Sequence, residues 1–476
     1  MRKILVPMIS VLLTMTASAA GLDTNRPYFT QTVGSERYCF YILDSGDEVS
    51  INSISSTRPY VTTERVVLPE EVTNEGKTYK VVEIEPEACS DNNWIWDLVY
   101  PSTLRKVGKK SFWHSELRSF KPQAESNLKE IDDMAFAASK VWDIDLGNKI
   151  EKIGNKAFAG FQFKYVRIPN SVTSLGQEAF SGNIVEDVTI GDGLTYICGG
   201  AFSNNPALRN VNIGKGVKTI DYNAFKGCNL QELVIPDNVK TLGEDAFAGN
   251  KYLKSVKLSS SLESIPDGCF SECGYISGLK IPANVTAIGT GAFYLCTGLV
   301  KLEFEEGSRL TSIGVNAFAG NRLAQLKMPD TVEEIGKSAF LGSSSLVSVH
   351  FSSGLKTIGD RAFSACKEIR DVTCYAAAPP VTTVDCFETN VYDNARLWVD
   401  EDALKLFKRD EVWRLFRNIE GVEGASIEAI GVDSETSPVL YDLSGRRLGD
   451  AEAADPSRGI YIEKSGKRTR KIIVTK

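Results

Sequence analysis

Histidine, cysteine and paired carboxylates are the residues through which this chain could do chemistry, and their spacing suits it poorly. Only two histidines occur, His114 and His350. Neither has a Ser, Cys or carboxylate at the local spacing of a nucleophile and its base. The chain has ten cysteines, but no Cys-x-x-Cys pair with a histidine nearby. Tetrahedral zinc asks for such a set, and Cys269-x-x-x-Cys273 alone specifies no metal. "GLTYICGG" (193–200) and "GKG" (214–216) lack the run of glycines ending in Lys and Ser/Thr that cradles phosphate. Asp132–Asp133 and Glu305–Glu306 could meet calcium only if carbonyls and further carboxylates converged, so solvated turn charges are the simpler reading. No two carboxylates mark themselves out for glycoside hydrolysis, which needs a cleft and a set separation. The residues therefore point to a protein that is not an enzyme and carries neither cofactor nor metal.

What recurs is mechanical. "TLGEDAFAGN" (241–250) has close relatives on either side, "TIDYNAFKGC" (219–228) and "SIPDGCFSEC" (264–273). The series Phe112, Phe136, Phe158, Phe180, Phe202, Phe225, Phe247, Phe270, Phe293, Phe318, Phe340, Phe363 and Phe387 keeps a spacing of 22 to 25 residues. Cys89 precedes Phe112 by 23 residues and fits the same position in an irregular first coil. Each unit carries apolar anchors, such as Leu230, Leu233, Ile235, Val239, Leu242, Ala246 and Phe247. Alternation at Val211 to Ile213 and at Leu233 to Ile235 predicts a short half-buried strand, stopped by Gly214 or Pro236. The Phe segment is too short to nucleate a helix of its own and predicts one helical or 3₁₀ turn.

One unit cannot bury its apolar face alone, whereas stacked units can. The predicted fold is an α/β solenoid: strands in one parallel sheet, Phe rings in one column, twelve coils spanning roughly 60 Å at the inter-strand spacing. A helical array is the competing reading, disfavoured by Pro169, Pro236, Pro282 and Pro329, which would break a helix in unit after unit. Three residues after each Phe stands a small hydrogen-bonding group: Ser139, Asn183, Asn205, Cys228, Asn250, Cys273, Cys296, Asn321, Ser343 and Cys366, with Phe161 the exception. Such groups suit a tight inward turn whose backbone needs partners. Four cysteines are thereby explained as turn residues. Cys273 and Cys296 fall in adjacent coils, and both packed thiols and a disulfide remain open for them.

The unit closely resembles the BspA-like, surface-antigen class of bacterial leucine-rich repeats, whose pattern runs IPxxVxxIGxxAFxGCxxLxxVxI. It reads here as "IPNSVTSLGQEAFSGN" (168–183), "IPANVTAIGTGAFYLC" (281–296) and "MPDTVEEIGKSAFLGS" (328–343). The resemblance implies a curved leucine-rich solenoid over residues 79–390, an exported or surface location, and adhesion to host proteins or other cells. "YCFYI", "VSINSI" and "VVLPEEVTNEGKTYKVVEI" alternate strongly enough for a β N-cap over 21–78. A C-terminal cap over 391–420 uses Leu397 and Val399 in a last strand, with Leu404, Phe407, Val412, Trp413, Phe416 and Ile419 closing the stack. Residues 421–438, rich in Gly, Glu and Ser, read as a linker, and 439–476 as a small β sorting or attachment domain. Its "YDLSGRR", "RGIYI" and "KIIVTK" resemble C-terminal sorting tails of Bacteroidetes surface and secreted proteins.

Arg2 and Lys3, the apolar run Ile4 to Met15 and "ASAA" (17–20) follow the order of a secretory signal peptide, assigned to residues 1–20. No run reaches the roughly 20 apolar residues of a membrane span. The net charge of -7 becomes -9 when Arg2 and Lys3 leave, which gives no global pull toward nucleic acid. Export to the cell exterior or outer surface is the expected location.

Between the inward anchors lies an outward register: Asp145, Arg167, Thr189, Asn212, Val234, Lys257, Lys280, Glu303, Lys327, His350 and Thr373. An extended row of shallow contacts suits a protein partner on a host or microbial surface, and a glycan stands as a second class of partner. Arg167, Lys257, Lys280, Lys327 and His350 are the expected contact residues, with a positive bias in the later half. Trp94 and Trp96 bracket Ile95 and form a second expected patch if Ile95 faces inward. Noncovalent adhesion is the leading reading. A structural spacer is the alternative, and a carbohydrate-active enzyme comes third.

Overall fold

The computed structural model describes residues 22–57, 64–161, 163–422, 439–441, 447–450, 459–465 and 468–474. The chain divides into two units, Met1–Glu423 and Gly424–Lys476. The signal-peptide stretch 1–20 lies outside the described residues. So does all of the expected linker except Gly421 and Val422, which end the strand Asn418–Val422.

Each coil of the first unit contributes two extended pieces. The longer one is the Val-x-Ile segment, as in Tyr165–Ile168, Asp187–Ile190 and Asn210–Asn212, paired in parallel with Val166 opposite Val188 and Val188 opposite Val211. The sequence reading lacked the other, a two-residue strand at the Ile before the Gly turn: Tyr196–Ile197, Thr219–Ile220 and Thr241–Leu242 stack in register. Two parallel ladders therefore run along the solenoid where one was expected. Alternation decides which side chains go in: Leu233 and Ile235 are buried, and Val234 between them is exposed. Close approach explains the glycine after the second strand, because a Cβ on Gly243 would sit 2.2 Å from the Tyr222 nitrogen of the coil before.

The Phe segments are turns, and the helical or 3₁₀ geometry expected for them does not form. Two residues before and two after each Phe from Phe112 to Phe363 adopt left-handed φ, as at Asn223 (54°) and Gly227 (69°) around Phe225. The same pair flanks Cys89, at Glu87 (59°) and Asp91 (52°), which places that cysteine at the head of the series. Left-handed residues rotate alternate amides out of the coil. Asn223, Phe225 and Gly227 donate to Glu244, Ala246 and Ala248 of the next coil at 2.8–3.0 Å. Ala224 and Lys226 close turns inside their own coil, on Asp221 and Asn223. Every one of these five amides is thus paired, three of them across coils, which a helix could not achieve. Each non-glycine left-handed residue costs about 1–2 kcal/mol. Burial of the ring between them returns about 1.5–3 kcal/mol. From Phe112 to Phe387 successive rings stack with centroids 5.1–5.5 Å apart.

Both ends of this column are covered. The strand Lys77–Ile84 pairs with Glu48–Ser56 on one side and with Lys106–Val107 on the other, so the N-terminal sheet runs on into the two-residue ladder. At the far end Arg396–Asp400 and Asn418–Val422 extend the longer-strand ladder by two strands. The short helices Thr389–Asn394 and Leu404–Phe407 lie in this cap. Trp413 is buried, its indole N–H donating to the Pro380 carbonyl at 2.8 Å. Phe416 and Trp413 pack edge-on against Phe387, the last ring, and Phe407 packs behind Trp413. In the second unit, Val439–Tyr441, Arg447–Asp450, Gly459–Ser465 and Arg468–Val474 form an antiparallel sheet.

Candidate recognition face

The outward register forms one surface column on the longer-strand ladder. Arg167 stands opposite Thr189, Thr189 opposite Asn212, Val234 opposite Lys257, Lys280 opposite Glu303, and Lys327 opposite His350. All of these are exposed. Thr373 departs from the row: it is buried opposite Trp398 of the C-terminal cap.

The expected positive bias is broken up by neighbouring carboxylates. Lys257 lies 3.9 Å from Asp237 and Lys280 lies 3.7 Å from Glu305. Glu303 interrupts the row between Lys280 and Lys327, and is itself paired with Lys301 at 2.8 Å. His350 has its pKa lowered by partial desolvation and then by Lys327, against an opposing pull from Asp371, which keeps the imidazole neutral at physiological pH. Arg167 has no ion-pair partner among the described residues.

The second expected patch is rearranged. Ile95 does face inward, but Trp94 packs half-buried against the core, and Trp96 lies half-buried beneath the Arg118 guanidinium, 3.5 Å from its ring centre. Arg118 and Trp142 occupy the Trp96 position in the two following coils, since Arg118 N–H donates to the Trp96 carbonyl and Trp142 N–H to that of Arg118. Trp142 is 61% exposed and Tyr165, one coil further, 69%. These residues escaped the sequence reading, although spacings of 22 and 24 residues from Trp96 to Arg118 to Trp142 carry the signal.

Reactive groups are occupied elsewhere. All ten cysteines are free. Cys228, Cys273, Cys296 and Cys366 donate to the Phe202, Phe247, Phe270 and Phe340 carbonyls at 3.2–3.3 Å, each one coil back. Asn183, Asn205 and Asn250 do the same work with their amides. Burial pushes the Cys228 and Cys296 thiols up to about 12, far from the thiolate form that would react or ligate. His114 pairs with Asp91 at 2.8 Å on the exposed surface of the adjacent coil. Among the described residues no three His, Cys, Asp or Glu side chains gather to hold a metal ion, and no helix is long and apolar enough to cross a membrane.

Paired parallel ladders around a stacked aromatic column, repeated every 22 to 25 residues, define a leucine-rich repeat solenoid. Residues 77–186, 179–299 and 263–390 match the BspA type Leucine rich repeat region (6 copies), and the chain belongs to that family. Its fold is similar to that of a leucine-rich repeat protein from Bacteroides ovatus, at 24% identity and a TM-score of 0.55, covering 72% of this chain and 94% of that one. Weaker likenesses reach a leucine rich cell surface protein from Faecalibacterium prausnitzii (24% identity, TM-score 0.41, 73% and 95% of the two chains) and the pneumococcal vaccine antigen PcpA (18%, 0.40, 83% and 99%). Among curated proteins none matches this chain.

Proposed function

We propose that this protein is exported and uses the exposed side of its longer-strand ladder to bind a protein on a host or microbial surface, noncovalently and without turnover. The observation carrying this reading is the outward column: side chains from successive coils stand in register on a scaffold whose inward neighbours are buried. Order of this kind presents many positions at known spacing, which suits a broad interface assembled from modest contacts. Family membership and the leader-like residues 1–20 support the location. The test is capture: mature protein immobilised against a panel of host proteins, microbial cells and glycans. Retention of a protein partner, weakened by Lys280→Glu or Lys327→Glu, is the expected result. Failure of the whole panel, while related repeat proteins bind, defeats the reading.

A spacer role draws on a different observation. Surface ion pairs bridge neighbouring coils, as Lys129–Glu151 at 2.9 Å and Lys356–Glu333 at 2.7 Å, and such pairs brace a stack rather than greet a partner. Deleting interior whole repeats separates the two. A spacer responds to length alone, whereas a receptor depends on which coils remain.

A further inference from the structure

We propose that the break in the longer-strand ladder between Ile144 and Tyr165 is the anchor pocket of the recognition face: it takes one apolar side chain, best an aromatic one, from a partner protein, and Arg167 pairs with a carboxylate beside that side chain. This rests on the recognition reading above and locates its energetic centre.

The longer-strand ladder is interrupted at several steps, between Asn212 and Glu232, Lys257 and Gly278, and Phe304 and Gln325 among them. At the step of interest Asp143–Ile144 pairs only with Ser119–Pro122 behind it, and Tyr165–Ile168 only with Asp187–Ile190 ahead of it. The intervening coil is the irregular one. Phe161 stands where other coils hold a small polar residue, and Phe163 where they hold Leu, Ile or Val. Both rings are buried and stack on each other 5.1 Å apart, edge-on to Phe158. Overfilled cores push their backbone apart. The missing rung leaves a cavity of about 260 Å³ between the two strands, with Phe158, Phe180 and Phe163 among its walls and Arg167 at its edge. An apolar cavity of about 150 Å³ already accommodates benzene. This one has room for a phenyl ring or a branched aliphatic group.

The surroundings select the occupant. Trp142 and Tyr165 stand exposed on the two coils that border the gap, with Arg118 beside Trp142, and Trp, Tyr and Arg are the side chains that carry most energy at protein interfaces. Nearby carboxylates are engaged: Asp143 with Lys121 at 2.6 Å, and Asp145 with the Gly147 amide at 2.9 Å. Asp145 keeps its negative charge on that neutral amide, but Arg118 and Arg167 both lack a carboxylate partner among the described residues, so the local balance stays positive and favours an acid. A sugar ring entering the cavity would set most of its hydroxyls against Phe158, Phe163, Phe180 and aliphatic groups, which cannot pair with them, leaving only Asp145 and Arg167 as polar partners.

The test is saturation-transfer NMR on the full mature chain with N-acetyl-Phe-Asp-amide as probe. Its ring protons are expected to receive saturation, and N-acetyl-Ala-Asp-amide at least fivefold less. Leu146→Trp, which fills the cavity, lowers the ring signal at least fivefold. Arg167→Glu, an exposed change that spares the packing, lowers it at least threefold at an unchanged melting temperature. An undiminished ring signal in folded Leu146→Trp and in Arg167→Glu overturns the proposal. So does a stronger signal from methyl glucoside that Leu146→Trp abolishes, since the pocket would then be a glycan site. If the capture panel finds a protein partner that Leu146→Trp binds equally well, the anchor pocket falls while surface recognition stands. An empty panel fells the recognition reading, and the probe signal still decides the pocket.

Discussion

The thiol of Cys273 donates to the carbonyl oxygen of Phe247, 3.3 Å away and one coil back. Asn250 reaches the carbonyls of both Phe225 and Phe247, at 2.9 and 2.7 Å, and accepts from the Leu230 amide at 3.1 Å. Cysteine and asparagine therefore do one job in one column, tying each coil to its predecessor, and asparagine ties it twice.

Asn250→Ala leaves the Phe225 carbonyl and the Leu230 amide without their partner, while the Phe247 carbonyl keeps the Cys273 thiol, and is expected to cost about 3 kcal/mol, given about 1–3 kcal/mol for each group left unsatisfied and partial relaxation around the gap. Cys273→Asn keeps the donor and adds a second, so it should change stability by less than about 1 kcal/mol. Denaturant midpoints of the two variants check the pair. Equal losses would mean that the column packs without bonding.

Stability should fall with alkali. The Cys228, Cys296 and Cys366 thiols are pushed by burial from 9.0 up to about 12. Below pH 9 folded and unfolded thiols are both protonated and contribute no slope. As pH rises from 9 toward 12 the unfolded thiol ionises while the folded one cannot, so each draws down stability by up to about 1.4 kcal/mol per pH unit. The triple variant Cys228→Ser, Cys296→Ser, Cys366→Ser is expected to show a shallower fall in melting temperature between pH 9 and 10.5. Identical slopes would contradict the thiol account.

Phe247 lies between Phe225 and Phe270, with ring centroids at 5.5 and 5.4 Å. Phe247→Ala should cost about 3–5 kcal/mol through lost transfer energy and the cavity left in the column. Phe247→Leu, which keeps more of the volume, should cost distinctly less. Calorimetry of both variants measures the difference.

Trp413→Ala is expected to uncover Phe387 at the end of the stack. Terminal coils without a cap expose an apolar face that seeks another. The variant should associate in a concentration-dependent way, visible by light scattering, with a lowered melting temperature. A monomeric variant would show that Phe416 caps the column without it.

Much of the fold was legible in the sequence because the solenoid's contacts are made between segments 22 to 25 residues apart. Leu233, Ile235, Leu242 and Phe247 recur at the positions where one coil meets the next, so their period states directly what stacks on what. The helical reading of the Phe turn failed for a physical reason. Left-handed φ at Met134, Lys156, Glu178 or Arg361 carries no mark in side-chain type, and only the demand for cross-coil amide pairing reveals it. The second ladder was hidden because two residues are too few for alternation to register. Of the candidate face, the outward row was legible from alternation, while its charge balance was not: Asp237 and Glu305 come from turns whose reach depends on how the coils sit.

By itself the sequence determined that thirteen phenylalanines line a common interior and which strand residues point away from it, since burying a periodic apolar set leaves one way to wrap the chain. Only the tertiary structure decided that the longer strands Asp143–Ile144 and Tyr165–Ile168 stay unpaired while the rest of their coils stack, and that Trp142 and Tyr165 stand exposed beside that gap. The gap adjoins the extra ring volume of the stacked Phe161 and Phe163, and volume is a property that no pattern of polar and apolar letters records.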